Sequence, residues 1–439
     1  MKNNDLLNEL KERGIIEYTA ESEKGNLDNF FDIKNRNKKA AYIGADPSAK
    51  SLHLGNYATY IVLKWLKKAN YQIYAIIGGI TGIVGDPRDP IYSGGDAKER
   101  DVANIKAIEN NVKSITKQYK TIFKVSNIVN NISFYKNMSV WEYLREIGKR
   151  INVNYILNKD VVSRRLSTGI SYAEFSYNLL QGWDWTVMYF DGMEEKKYVS
   201  HQMLCQFGGA DQWGNITTGL EFIRKKCSEK NLPNKACCFG VKLYLKPDGT
   251  KFGKSASGAI WLDETMTSNY EFYQYLYNQP DDAMKSLLYR FTLIERKVID
   301  EIIDKHSKKP YERLAQKTLA DTVTIDVRGK KALEEANQIR EILFHGGLEK
   351  APLFMMKKVI KEISNKVFLK EEQSISLIDV LVNSSICESK SQARKLIEQK
   401  SISYNGETIS DINFTFSKKK VVEFIKKGNK TYIILDWLN

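Results

Sequence analysis

Histidine and cysteine are scarce in this chain: four and five among 439 residues. The cysteines, Cys205, Cys227, Cys237, Cys238 and Cys387, show no paired framework. Cys237 and Cys238 are adjacent, without the spacing that ligands around one metal need, and the histidines stand far apart. A structural zinc is therefore not expected. A reducing, cytoplasmic setting is. A secretory leader is not expected either: Met1 to Arg13 mixes acidic and basic residues around Leu6, Leu7 and Leu10, as an amphipathic helix does. The uncharged stretch from Ala69 to Gly85 is broken by glycines, amides and a threonine. It reads as a buried strand plus loop, and no membrane association is expected. Internal repeats are missing as well.

What is present is length and positive charge. A chain of 439 residues is too long for one core and should form two to four domains. Its 42% hydrophobic and 27% charged residues are ordinary for a globular protein. The net charge of +14 is not. It fits either a lysine-rich surface that aids solubility or a polyanionic partner. From Ala351 to Asn439, 15 Lys and Arg face 10 Asp and Glu, so the excess is spread along the chain and does not by itself select RNA.

The first half alternates short apolar runs with helical patterns. Ala40–Ala45 and Gln72–Ile77 read as strands and residues 55–69 between them as a helix, a βαβ unit that implies a parallel sheet. Ile128–Ile132 and Met203–Phe207 are candidate strands, and residues 171–184 and 212–226 candidate helices. A ligand should lie beyond the carboxyl ends of the strands. From Asn269 the pattern becomes helix after helix until Gly346-Gly347. A lysine-rich connector follows. Then come two short helices and strand-like runs joined at Asn405-Gly406, a strong hairpin signal.

Two loops carry the chemistry. The first, Asp46-Pro47-Ser48-Ala49-Lys50-Ser51-Leu52-His53-Leu54-Gly55-Asn56, sits where a strand hands over to a helix, so backbone N–H groups can approach a phosphate. The second, Asp248-Gly249-Thr250-Lys251-Phe252-Gly253-Lys254-Ser255, sets two ammonium groups on a glycine-rich loop that can close on a triphosphate. Each alone is weak. Together, in this order, they resemble the HIGH and KMSKS signatures of class I aminoacyl-tRNA synthetases. Tyr42-Ile43-Gly44-Ala45-Asp46-Pro47, the Gly82 to Pro87 segment, Phe175 to Gln181 and Gly208 to Asn215 narrow the resemblance to bacterial-type tyrosyl-tRNA synthetases.

That resemblance implies an α/β fold: a Rossmann-like parallel-sheet catalytic domain (1–245), a signature loop and linker (246–268), an all-α anticodon-binding domain (269–347), a connector (348–374) and a small α+β RNA-binding domain (375–439). It implies L-tyrosine, ATP with Mg²⁺, and tRNA(Tyr) as substrates, and a homodimer formed around Ile128 to Tyr155, where Phe134, Tyr135, Met138, Val140, Trp141 and Tyr143 concentrate. Tyr177, Gln181 and Asp184, at i, i+4 and i+7, share one helical face. Pattern alone favours a solvated face there. The resemblance instead puts Asp184 and Tyr42 at the substrate phenol, Tyr177, Gln181 and Asp86 at its ammonium group, and Gln212 at its carboxyl. His53, Ser48, Asn56, Lys251 and Lys254 are expected to be catalytic at the phosphates. Gly44, Asp46, Gly55, Gly209, Asp211 and Ser255 are expected to hold the rest of ATP, with Asp211 on the ribose. Lys390, Arg394, Lys395 and Lys400 are expected to grip tRNA, and Asp281 or Asp282 to accept from an anticodon guanine.

Four features depart from the family pattern. Asn56 stands where a second histidine is usual, and Ile43 where a small polar residue is common. Arg88-Asp89-Pro90 lacks a nearby lysine. Met188 to Tyr198 reads as an insertion. A tryptophan-specific relative and a catalytically inactive RNA-binding or splicing cofactor remain as alternatives. Tyr42 with Asp184 speaks against the first, and His53, Lys251, Lys254 and Asp211 against the second.

Overall fold

Apolar runs too short for helices build the first sheet. In the computed structural model its strands are β1 (Ile16–Glu21), β2 (Ala40–Ala45), β3 (Gln72–Ile77), β4 (Asn127–Asn130), β5 (Met203–Gly209) and β6 (Cys237–Val241). Residues 5–87, 104–245, 252–255, 258–363, 366–370, 375–416, 423–428 and 431–438 are described. The strand order is β1-β6-β5-β2-β3-β4. All neighbours are parallel except β1, which runs antiparallel to β6 at the edge. β2 and β3 match the expected strands residue for residue, and helix α1 (Leu54–Lys68) joins them. β4 stops at Asn130, and Ile132–Tyr135 turns helical, so the expected strand Ile128–Ile132 is only partly one. Neither β1 nor β6 stood out in the sequence. β1 reads IEYTAE, as polar as a surface segment, and becomes a strand by pairing with β6.

Helices α2 (Tyr172–Asp191) and α3 (Trp213–Glu229) pack closely on each other. Gly182 and Gly219 permit this: a Cβ on Gly219 would lie 2.9 Å from Trp185. Trp185, Met188 and Tyr189 then pack in one core with Tyr42, Tyr74 and Met203. The stretch Met188 to Tyr198 is the end of α2 and the turn after it. The Asp191 carboxylate accepts from the backbone N–H groups of Lys197, Tyr198 and Val199 at 2.8–2.9 Å, which closes that turn before β5.

The chain divides into two compact units, residues 1–267 with 275–328, and residues 268–274 with 329–439. The helices expected as one block are shared between them. In the first unit, α4 (Met284–Phe291), α5 (Arg296–Lys308) and α6 (Leu314–Arg328) belong with the sheet. Asp326 of α6 fastens to α1, accepting from the Tyr57 hydroxyl and pairing with Lys64.

In the second unit α7 (Leu377–Asn383) and α8 (Lys390–Glu398) cover a five-stranded sheet. Its strands are β7 (Lys366–Lys370), β8 (Ile402–Tyr404), β9 (Glu407–Thr408), β10 (Glu423–Lys427) and β11 (Thr431–Leu438), in the order β9-β8-β10-β11-β7. Asn405 and Gly406 both have positive φ, 49° and 92°, as the tight turn between β8 and β9 requires. Leu377, Leu381, Ala393 and Ile397 pack on Ile402, Ile425 and Ile433. The segment read as a connector supplies β7, which lies parallel to β11. Its lysine-rich sequence hides a strand that forms only beside that partner.

Candidate active site

The two signature loops, some 200 residues apart in sequence, are zipped together. Leu54 N–H donates to the Ile260 carbonyl at 2.8 Å, Leu262 N–H to Leu52 at 2.8 Å, and His53 bridges to Trp261. The second loop turns on Gly253, at φ 87°. A Cβ there would lie 2.6 Å from the Gly55 nitrogen, and one on Gly55 would lie 2.8 Å from the Phe252 carbonyl oxygen. Glycine at both positions lets the loops touch through backbone. The close approach seen at Gly55 is thus that of the second loop. Lys251 lies outside the described residues, as do Arg88, Asp89 and Pro90. Lys254 and Ser255 form a two-residue strand paired with Gly258–Ala259.

Beside this seam, at the carboxyl ends of β2, β3 and β5, opens a cavity of about 340 Å³. It lies where strand order reverses between β2 and β5, the place such sheets offer ligands. At its mouth His53 caps α1. Its Nδ1 accepts from Asn56 N–H at 3.3 Å, while His53 N–H donates to the Asn56 side-chain oxygen at 3.0 Å. This box fixes the ring: the proton of a neutral imidazole sits on Nε2, which becomes a donor. It also commits the Asn56 oxygen and leaves its amide nitrogen as the donating end. Ser48, Gly44, Gly55, Gly209 and Asp211 line the same mouth.

Deeper in, Asp46 accepts from Thr81 Oγ1 at 2.7 Å and from the Tyr177 hydroxyl at 2.9 Å. Asp86 accepts from Gln212 at 2.7 Å and from Asn215 at 3.1 Å. Gln181 lines the cavity beside them. At the closed end sits Asp184, 3% exposed, accepting from Asn131 Nδ2 at 2.9 Å and from the Tyr135 hydroxyl at 2.7 Å. Burial pushes its carboxyl up to about 7. The Asn131 and Tyr135 hydrogen bonds oppose that rise, and the nearby charge of Asp46 adds to it. Tyr42 is 1% exposed, and its buried hydroxyl has no partner among the described residues. Burial raises its pKa well above the ordinary tyrosine value, with the Asp184 charge adding to the effect. Gln206, the cross-strand neighbour of Tyr42, likewise has a buried oxygen without a partner among the described residues.

The structure therefore brings Tyr42, Asp86, Tyr177, Gln181, Asp184 and Gln212 into one cavity with His53, Ser48, Asn56, Asp46 and Asp211. Sequence reasoning missed Thr81, Asn131, Tyr135 and Gln206. A lone amide in the apolar run of β5 was a usable signal for Gln206. Tyr135 carried none, and it stood among residues expected at a dimer surface. Lys390, Arg394, Lys395 and Lys400 lie on or just after α8, all exposed, with Lys390 paired to Asp379 at 2.8 Å. Asp281 accepts from Gln316 and lies 3.1 Å from His306 Nε2.

A family model described as tRNA synthetases class I (W and Y) matches residues 34–345, and the chain belongs to that family. A second model, the Tyrosine--tRNA ligase SYY-like C-terminal domain, matches residues 356–435. The Tyrosine--tRNA ligase of Ureaplasma urealyticum is 39% identical over 439 residues, covering 99% of each chain. That of Mycoplasma mobile is 39% identical over 439 residues, covering 98% of this chain and 99% of the relative. Within the class, the chain is a member of the tyrosine–tRNA ligases and not of the tryptophan branch. Among solved structures, a C-terminally truncated mitochondrial tyrosyl-tRNA synthetase from Aspergillus nidulans superimposes with a TM-score of 0.62. It is 26% identical, and the match covers 77% of this chain and 94% of that one. A tyrosyl-tRNA synthetase from Archaeoglobus fulgidus, at 14% identity and a TM-score of 0.53, shares the fold.

Proposed function

We propose that the cavity is where L-tyrosine attacks the α-phosphate of Mg²⁺-bound ATP, yielding tyrosyl-adenylate and pyrophosphate before the tyrosyl group passes to tRNA(Tyr). The observation that carries the reading is the buried Tyr42 hydroxyl, without a partner among the described residues, near the Asp184 carboxyl. A phenol answers both: its oxygen accepts from Tyr42 and its proton goes to Asp184. Phenylalanine would bring the Tyr42 hydroxyl no acceptor and Asp184 no phenol donor, which costs affinity. Enzymes of this kind reject phenylalanine by about 10⁵-fold. Tyr177, Gln181 and Asp86 take the ammonium group, and Gln212 takes the carboxylate.

The attacking carboxylate is already ionised, so positioning and charge stabilisation supply the catalysis. His53 Nε2, the Asn56 amide and Ser48 donate at the phosphates, joined by Lys251 and Lys254. Gly44, Asp46, Gly209, Asp211 and Ser255 hold the nucleoside side, Asp211 at the ribose, and Gly55 keeps the two loops in contact. In the same reading residues 269–347 meet the anticodon, and Lys390, Arg394, Lys395 and Lys400 hold tRNA phosphates. The protein works in the cytoplasm as a homodimer. Exposed Val140, Trp141, Leu144 and Val153, 50–76% accessible, support that contact surface, whereas Phe134 is buried.

Tyrosine-dependent exchange of pyrophosphate into ATP tests the reading. Exchange with tyrosine and almost none with tryptophan or phenylalanine is expected. Comparable exchange with tryptophan would overturn it. A purely monomeric mass at micromolar concentration in sedimentation equilibrium would remove the dimer.

A further inference from the structure

The Tyr135 hydroxyl faces two acceptors with one proton. It lies 2.7 Å from Asp184 Oδ1 and 2.9 Å from the Leu180 carbonyl oxygen. With Asp184 ionised, the proton goes to the carboxylate and the Leu180 contact is unfilled. With Asp184 protonated, its own O–H donates to Tyr135, Tyr135 donates to Leu180, and Asn131 still donates to the other carboxyl oxygen. In the latter state each of these contacts holds a proton. Leu180 loses little in the first state, because its carbonyl also accepts the helical bond from Asp184 N–H within α2.

We propose that Tyr135 is a positioning residue of the amino-acid site, a hydroxyl that turns between Leu180 and Asp184 so that the carboxyl holds a proton while the pocket is empty and releases it when tyrosine binds. The step balances simply. The Asp184 O–H bond breaks, the proton leaves to solvent, and Tyr135 swings its O–H onto the carboxylate. The substrate phenol then donates to the same carboxylate, while Tyr42 donates to the phenol oxygen. Three donors now favour the ionised carboxyl.

The surroundings agree. From β2 the carboxyl is faced by the neutral, unpartnered Tyr42 and by the like charge of Asp46. From the turn after β4 it meets Asn131 and Tyr135, with Tyr143 beyond Tyr135. On its own helix Tyr177 is bonded to Asp46. None of these is a cation that would hold Asp184 ionised in an empty pocket. Burial instead pushes the carboxyl up to about 7. Because tyrosine binds the ionised form, affinity is full above that value. It falls as pH drops through it, approaching about tenfold per pH unit. Discrimination against phenylalanine narrows over the same range, since a neutral, internally satisfied carboxyl loses less when an apolar ring covers it.

The proposal rests on reading Asp184 as the phenol's acceptor, and the experiment separates the two. Calorimetric titration of the full-length protein with L-tyrosine, in buffers of different ionisation enthalpy, should show release of most of a proton near pH 6 and almost none near pH 8.5. No release at either pH would overturn it, whatever the variants do. In Tyr135→Phe the carboxylate loses a charge-assisted donor, so the pH inflection of the tyrosine KM should move up by about one unit while kcat for exchange stays within about twofold. A uniform KM change with an unmoved inflection would reduce Tyr135 to packing and sink the relay. Asp184→Asn reports on the underlying reading. Unchanged tyrosine affinity in that variant would remove Asp184 from the phenol. Lost affinity without proton release in the parent would remove only the relay.

Discussion

In the inner part of the cavity three carboxylates are each held by two donors: Asn131 and Tyr135 on Asp184, Thr81 and Tyr177 on Asp46, Gln212 and Asn215 on Asp86. At the mouth the framework is backbone, with 52–54 paired to 260–262 and Gly55 against Gly253. Under the proposed function the difference follows from what each end would recognise. A phenol is small and neutral, and it is selected by groups fixed before it arrives. A triphosphate is large and gains charge on its leaving group, so the donors there need to act most strongly in the transition state.

That contrast can be broken at several points. The largest effect should come from Glu174, whose carboxylate takes both nitrogens of Arg165 at 2.7 and 3.1 Å with both side chains almost fully buried. This pair anchors the first turn of α2, which carries Tyr177, Gln181 and Asp184. Glu174→Ala strands a buried guanidinium and should cost about 3–5 kcal/mol, read from the denaturant midpoint. If stability is unchanged, α2 is held by packing alone. At the mouth, Lys254→Ala should lower kcat for pyrophosphate exchange by roughly 10²–10³ while tyrosine KM barely moves. An unaltered kcat would make the second loop a surface turn.

Asp184→Asn, at the closed end, should do the opposite. Tyrosine KM should rise by about tenfold or more while ATP KM holds, since a hydrogen bond to a charged group is worth about 1.5–3 kcal/mol. Parallel losses in both KM values would show that the two ends are not separable. The smallest effects belong to the tail. Each of Arg394→Gln and Lys395→Gln should flatten the log–log salt dependence of tRNA binding by roughly 0.7–0.9 and leave adenylate formation untouched. Lys390→Gln should do less, because Asp379 already pairs with that lysine. An unchanged slope in all three would remove α8 from the RNA surface.

Much of the site was legible because its pieces are local. Tyr177, Gln181 and Asp184 share a helical face by spacing alone, and each signature loop announces itself within about a dozen residues. The hairpin at Asn405-Gly406 was legible for the same reason. What stayed hidden depends on neighbours distant in sequence. β1 is too polar to look like a strand and pairs with β6, and the short run of β7 lies in a lysine-rich segment and pairs with β11. Tyr135 belongs to an aromatic stretch that also holds exposed Val140 and Trp141, yet its hydroxyl reaches 49 residues along the chain to Asp184.

The sequence by itself thus determined which chemical groups the protein carries and on which helices and loops they ride, since periodicity and turn chemistry are properties of short segments. Only the tertiary structure decided how those groups meet: that Gly55 touches Gly253, that His53 is turned by Asn56, and that the buried Asp184 carboxyl has two donors and a raised proton affinity. Burial and long-range pairing set these features, and neither is a property of any segment read alone.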